Sequence, residues 1–454
     1  MYFDSNTQPA SVARVQVGID AAVVAHHHVC VRALTGDGQV NVSRFQVPPT
    51  LSGLRTLTKR LAPYPGVLAV AEPTSMTWLG LAVALQDAGS DLALVGSRHA
   101  ARLRGAISGK NKSDVIDADV LARASDVFEL HPLVLPSPPQ LALRRACTRR
   151  GAAVIDGNRY LRRLISLARW AFPDVWSAFS GSLPTAVAVL GRWPHLDSLA
   201  AARRSSLTAV VAEHTRGVGD VPARVEEIRS TAAAWAHFWA GHLDLDALAW
   251  DVSEHLSDMA IANARIERAT AAPQRYWEQL YGDDPLLSSV PGVGPVIAPT
   301  IRGFLIDGSG FTGAKQVGSY VGMTPSNWSS GNTVDHSGRA ITKEGPAVLR
   351  LAFYQAANVA RTLDPQLAEF YYRLMVERGH CHTQATVAVA RKLIERTWTV
   401  LTRQQPYQLR DVDQTPVTAR AAKQIIASKY VVPEHVRKRS RAHSAATHRA
   451  KLAR

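Results

Sequence analysis

Between residues 14 and 134, apolar runs short enough for strands alternate with apolar positions spaced for helices. Residues 15–19, 27–34 and 40–47 predict three strands, with Thr35-Gly36-Asp37-Gly38 as the turn joining the second to the third. Residues 51–61 predict a helix, 67–71 a fourth strand, 76–88 a helix and 91–95 a fifth strand. Two more helices follow, over 98–103 and 114–124. Three antiparallel strands followed by strands set apart by helices is the order of a ribonuclease-H-like sheet. The fold class read from this stretch is therefore α/β, continued by a helical remainder.

From 135 to 280 the pattern turns to Ala, Leu, Arg and Trp with helical spacing. Leu245, Val252, Met259 and Ile266 recur every seven residues, while Leu248, His255 and Ala262 between them are mixed. That leaves open a coiled-coil hairpin or an ordinary amphipathic helix. A third region, 281–405, begins with Val290-Pro291-Gly292-Val293-Gly294-Pro295 ahead of an apolar run, the composition of a helix-hairpin-helix turn. There Gly292 and Gly294 are the expected points of close approach to a phosphate. Residues 406–454 form a basic tail; from Arg437 on it is short of core residues and expected to be mobile until it meets nucleic acid.

Chemistry enters with the carboxylates. Asp20 and Glu72 each close an apolar run, where the strands of an open α/β sheet build their site. Asp114 and Asp117 lie three apart behind Ser113, an N-cap residue, and so share one face of the helix. The plainer reading is that this last pair only complements the helix N-terminus. If the three elements converge, each pair of acids about 4 Å apart repels by roughly 4 kcal/mol at an effective dielectric near 20. Divalent cations relieve that repulsion. All-oxygen ligands select Mg²⁺ or Mn²⁺, and two such ions are a common means of activating an oxygen for attack on a phosphodiester.

Charge points to the substrate. The 454 residues carry 52 Lys and Arg against 37 Asp and Glu, a net +15, which favours a polyanion such as nucleic acid. Ribosomal or chromatin-like binding is the simplest case. Arg144, Arg145, Arg149, Arg150, Arg159, Arg162, Arg163 and Arg169 are denser than a solvated helix needs and read as a phosphate-tracking face, with Lys112 another contact. Farther on, Ser330 precedes Gly331 in a polar loop, and Arg339, Lys343 and Arg350 are placed to hold a phosphate beside it. Cys30, Cys147 and Cys381 are too scattered for a disulfide framework or a zinc site. The His26-His27-His28 and His380-Cys381-His382 clusters alternate faces on a strand and make poor cages. No apolar run reaches the roughly 18 residues of a membrane span, and the first ten residues lack a signal-peptide pattern, so a cytoplasmic, nucleoid-associated protein is expected.

Taken in order, Val17-Gly18-Ile19-Asp20, Ala71-Glu72-Pro73-Thr74 and Lys112-Ser113-Asp114-Val115-Ile116-Asp117-Ala118 resemble the Asp-Glu-Asp-Asp set of the RuvC-like domain in transposases of the IS one-ten insertion-sequence group, relatives of the Piv-type DNA invertases. Pro291-Gly292-Val293-Gly294, Val321-Gly322-Met323-Thr324-Pro325 and Ser330-Gly331 resemble that group's C-terminal transposase domain. The resemblance implies a recombinase acting on donor and target DNA. In it the acids hold Mg²⁺, and Ser330, preferred to Ser329 for its adjacency to Gly331, attacks the DNA phosphate to give a 5′-phosphoserine. It also implies a structured bridge RNA as guide and a homodimer or dimer of dimers. Two other readings stand beside it: a RuvC-like endonuclease using water as nucleophile, and an inactive nucleic-acid-binding protein.

Overall fold

The computed structural model describes residues 12–109, 111, 113–215, 220–325, 329–330, 334–335 and 340–452. The chain forms two units, Met1–Pro136 and Ser137–Arg454. In the first, β1 (Val12–Asp20), β2 (His27–Thr35), β3 (Val40–Val47), β4 (Leu68–Ala71) and β5 (Asp91–Leu94) make one sheet in the order β3-β2-β1-β4-β5. The first three strands pair antiparallel, and β4 and β5 continue in parallel with β1. Helices α1 (Leu51–Leu61), α2 (Thr77–Asp87), α3 (Ser97–Ser108) and α4 (Asp114–Ala122) supply the connections, and a 3-10 turn follows α4 at Arg123–Asp126. This is the RuvC-like, ribonuclease-H-like arrangement.

The reason is visible residue by residue. Val17, Ile19, Val29, Val31, Ala69 and Ala71 face one side of the sheet and are buried against Leu57, Leu61, Leu81 and Leu85 of α1 and α2. On the other side Val70 meets Leu103 of α3 and Val120 and Leu121 of α4, while Cys30 meets Ala118 and Ala122. A strand covered on both faces reads as a near-continuous apolar run, which is why β4 is Leu-Ala-Val-Ala.

The second unit is helical apart from the two-residue strands β6 (Ser329–Ser330) and β7 (Val334–Asp335), among the described residues. Helix α5 (Pro138–Ala171) runs to the compact group α6 (Pro173–Ala178), α7 (Leu183–Arg192), α8 (Leu196–Ala200), α9 (Arg204–Thr215) and α10 (Val221–Trp239). Helix α11 (Leu245–Tyr281) then returns along α5, antiparallel: Gln140 hydrogen-bonds Tyr281, Arg150 Nε donates to Thr270 Oγ1 at 3.0 Å, and Gly157 lies against Ala262 and Ile266. Leu248, Val252, Met259 and Ala262 are buried, so the seven-residue repeat forms one helix of a long helical hairpin, although Leu245 and Ile266 at its ends are only partly covered.

A separate core gathers α12 (Pro285–Ser289), α13 (Ile297–Leu305), α14 (Ala314–Val321), α15 (Ala347–Ala360), α16 (Pro365–Val376) and α17 (His382–Arg403), followed by α18 (Ala419–Lys429) and α19 (Glu434–Leu452). Two ion pairs are sealed within it. Arg302 grips Asp284 through Nε at 2.8 Å and Nη2 at 2.7 Å, and Asp364, fully buried, takes Arg396 at 3.1 Å and the Tyr407 hydroxyl at 2.5 Å. The expectation of a mobile tail from Arg437 is corrected here. Val432 and Val436 are buried in the core just ahead of it, the buried Ser440 hydroxyl accepts from the His382 N–H at 2.8 Å, and Arg439 donates to the Met375 carbonyl at 3.2 Å. No described helix is long and apolar enough to cross a membrane.

Candidate active site

The docking of α4 on β1 sets the site. A Cβ at position 18 would stand 2.1 Å from the Ala118 carbonyl oxygen and 2.2 Å from the Ala122 nitrogen, so helix backbone rests directly on Gly18. The two elements run in opposite directions: at one end Gln16 Nε2 donates to Asp126 Oδ1 at 2.6 Å and to Ser125 Oγ at 3.2 Å. The first turn of α4 therefore lies toward the end of β1, where Asp20 sits. Ser113 caps that turn, its hydroxyl accepting from the Ile116 N–H at 3.3 Å.

Glu72 arrives from the neighbouring strand. Ile19 pairs with Ala71 in parallel register, so Asp20 and Glu72 leave adjacent strands side by side, with backbones about 4.8 Å apart. The consequence is electrostatic. Burial, then the charges of Asp117, Asp114 and Glu72, push the Asp20 carboxyl up to about 6 from its ordinary 3.8, with His28 opposing. Three acids from two other stretches of the chain thus act on the fourth.

Two basic side chains already attend the group. Arg104 of α3 pairs with Asp117, both side chains less than a fifth exposed, and His28 Nε2 lies 3.6 Å from the exposed Asp114 carboxylate. A third acid of α4, Asp119, belongs to another cluster, held by Arg123 at 2.8 Å, Arg32 at 3.2 Å and Arg44 at 3.6 Å. That full neutralisation separates it from the other two. Arg104 has no signal in the sequence, His28 stands there only in a histidine run and Gly18 only in the motif ending at Asp20, because the role of each comes from a partner on another element.

Four carboxylates with all-oxygen donors match a hard divalent cation. Among the described residues no three His, Cys, Asp or Glu side chains stand as a ready-made cage. Asp117 would have to turn from Arg104, and Asp114 from His28, to complete one.

The remaining predicted residues belong to several places. Arg145, Arg149, Arg162 and Arg163 are exposed along α5, and three to four residue steps put Arg145, Arg149, Arg159 and Arg163 on nearly one stripe. Within the same run Arg144 is turned over the Phe304 ring at 4.8 Å and Arg150 bonds Thr270, so these two serve packing. Gly292, at φ +79°, would put a Cβ 2.2 Å from the Ala356 carbonyl oxygen, which gives it a packing role against α15. Space beside Gly294 is open, and its carbonyl accepts from Ile297 and Ala298 at the start of α13.

Ser330 pairs with Val334 in β6 and β7. Lys112, Gly331 and Arg339 lie outside the described residues. Lys343 is exposed, at φ +58°, and its N–H donates to the Gly322 carbonyl at 3.0 Å. Arg350 is half-buried, its Nη1 donating to the carbonyls of Val321 at 3.1 Å and Gly345 at 3.0 Å. It thereby satisfies the end of α14.

Comparison with known proteins agrees in both halves. A model described as the transposase IS116/IS110/IS902 family matches residues 284–372, and a DEDD transposase model of the same group matches 17–173. An uncharacterised protein of insertion element IS116 from Streptomyces clavuligerus is 26% identical over 398 residues, 86% of this chain and 94% of its own. The pilin gene-inverting protein of Moraxella lacunata is 28% identical over 125 residues, 28% of this chain and 38% of its own. Thermus thermophilus RuvC aligns with 26% of this chain and all of its own at 17% identity and a TM-score of 0.20, and strand order, not that alignment, defines the fold. With both domain types matched in order and relatives aligned over most of its length, the chain belongs to the IS116/IS110/IS902 family of DNA transposases.

Proposed function

We propose that Asp20, Glu72, Asp114 and Asp117 hold Mg²⁺ or Mn²⁺ and act with Ser330 to cut and rejoin DNA through a 5′-phosphoserine. The observation that carries the acidic half is the Asp20 carboxyl, pushed up to about 6 by burial and by the other three acids, the mark of a group built to surround positive charge. A divalent cation bound there neutralises phosphate charge and makes a hydroxyl easier to deprotonate. Until then Arg104 balances the charge of Asp117.

The serine half follows from what a transposase must conserve. Ser330 Oγ attacks the phosphorus, a serine–phosphate bond forms, and the bond to the 3′ oxygen breaks, the departing 3′ hydroxyl taking a proton. A second 3′ hydroxyl then attacks the phosphoserine and restores a phosphodiester without ATP. Ser330 belongs to the second unit and the acids to the first, so the proposal includes their meeting within one chain or between copies in a dimer or dimer of dimers. The exposed arginine stripe of α5 suits phosphate contacts with donor and target DNA and with a structured guide RNA.

Water as nucleophile is the second reading, favoured by an acidic set that needs nothing from Ser330. The two separate on a denaturing gel of the reaction with labelled DNA. Wild type gives a protein–DNA adduct with Mg²⁺, Ser330→Ala gives none while still binding DNA, and cleavage by Ser330→Ala at the wild-type rate establishes hydrolysis instead.

A further inference from the structure

A cleft of about 950 Å³ in the second unit lies among the end of α15, α16, α18 and α19. Arg361, Lys423, Arg437 and Arg441 line it, with no carboxylate among its lining residues. Arg441 is balanced by Glu434 at 2.8 Å, but Lys423 and Arg437, both exposed, have no acidic partner among the described residues. Arg361 stacks 4.5 Å over the Tyr371 ring. His382, whose Nδ1 is 2.7 Å from the Tyr371 hydroxyl, is held below its ordinary pKa by burial and by Arg361, and adds no compensating negative charge.

Three cations facing one opening without an anion call for a phosphate-bearing ligand. Bare phosphate is far too small for this volume, which lies at the upper end of small-molecule sites. Tyr430, Ile426 and Met375 give the same cleft an apolar wall, to which a base is complementary. A duplex keeps its bases stacked inside and would leave that wall idle.

We propose that this cleft takes an unpaired nucleotide of a single-stranded nucleic acid, with Arg361, Lys423 and Arg437 on its phosphates and Tyr430 against its base. The site extends the family's handling of nucleic acid and depends on neither the acidic set nor Ser330. It also gives the basic C-terminal segment a built function: α18 and α19 close the cleft rather than trail behind the core.

The test measures binding of the full chain to labelled 12-nucleotide single-stranded RNA, the matching DNA and a duplex, over a salt series by fluorescence anisotropy. Replacing Lys423 and Arg437 together with alanine should weaken binding to a single strand about tenfold. It should also flatten the slope of log affinity against log salt by about 1.4, two phosphate contacts at roughly 0.7 each. Duplex binding should change less than threefold. Tyr430→Ala should lower single-strand affinity with no change in salt slope.

A larger loss for RNA identifies RNA as the source of the nucleotide, and the reverse identifies DNA. Equal losses for duplex and single strand, or no loss, overturn the proposal. Should the double variant fail to fold, photocrosslinking of an iodouracil-bearing strand to Tyr430 in the unaltered chain decides it: a crosslink supports the site, and its absence from the 419–452 segment overturns it.

Discussion

Replacing Gly18 by alanine adds one methyl group at the contact that positions the acidic set. The added Cβ would stand 2.1 Å from the Ala118 carbonyl oxygen, 2.2 Å from the Ala122 nitrogen and 2.8 Å from the Leu121 carbonyl carbon. All three are backbone atoms, which cannot swing away as a side chain end would. Ordinary contact begins near 3.4 Å, so α4 must retreat by more than about 1 Å. Inserting an atom into a packed site typically costs about 1–3 kcal/mol, and a rigid backbone neighbour argues for the upper end. At roughly 2–4 °C per kcal/mol, unfolding of the first unit should come about 5–10 °C lower.

Activity should suffer more. Asp114 and Asp117 travel with α4 while Asp20 and Glu72 stay with the sheet, and a misplacement of about 1 Å commonly costs about a hundredfold in rate. Gly105 in α3 is the control, since a Cβ there meets nothing within 4 Å. Gly105→Ala should raise stability by about 0.5–1 kcal/mol and leave recombination unchanged. Circular dichroism melting and a plasmid recombination reporter measure both. A Gly18→Ala protein that melts and recombines like wild type would show that α4 does not set the acids.

Three further outcomes follow from the site. Because Asp20 holds its proton more tightly folded than unfolded, its contribution to stability is full below pH 4 and lost as pH rises through about 6. In EDTA the melting temperature of Asp20→Asn should therefore pull ahead of wild type between pH 4 and 6 and keep a constant lead above; a gap that ignores pH would dismiss the shared field. Mg²⁺ or Mn²⁺ should raise the melting temperature of wild type near pH 7 and do far less for Asp20→Asn, and an equal rise in both would place the cation elsewhere. Arg104→Gln leaves the shielded Asp117 unpaired and should destabilise the metal-free protein by about 1–3 kcal/mol, partly recovered with Mg²⁺ in a thermal shift assay; indifference to the change would mean the pair contributes nothing.

Local rules reached the first unit almost whole. Alternating apolar runs bounded by turn residues gave its five strands, and Ser113 before Asp114 announced the start of α4 with its cap. What stayed hidden were facts about pairs distant in sequence. Nothing in Val-Gly-Ile-Asp says that Gly18 touches Ala118, or that Arg104 is the cation beside Asp117. Arg350 looks like a phosphate contact in sequence, and only the fold reveals the carbonyls of Val321 and Gly345 that engage it. The C-terminal segment misleads for a related reason: two valines, Val432 and Val436, anchor a stretch whose composition is otherwise that of a solvated tail.

The hairpin of α5 and α11 leaves the C-terminal core and comes back to it through one doorway, marked by Gln140 against Tyr281. Everything beyond that doorway can lengthen or shorten without altering where the chain re-enters, much as an insertion at a loop tip does. The matched family stretches stop at residue 173 and resume at 284, so the part outside both is nearly all of α6 to α11. A change in the length of this arm would thus leave the cores on either side of it, that of the first unit and that of the C-terminal helices, intact.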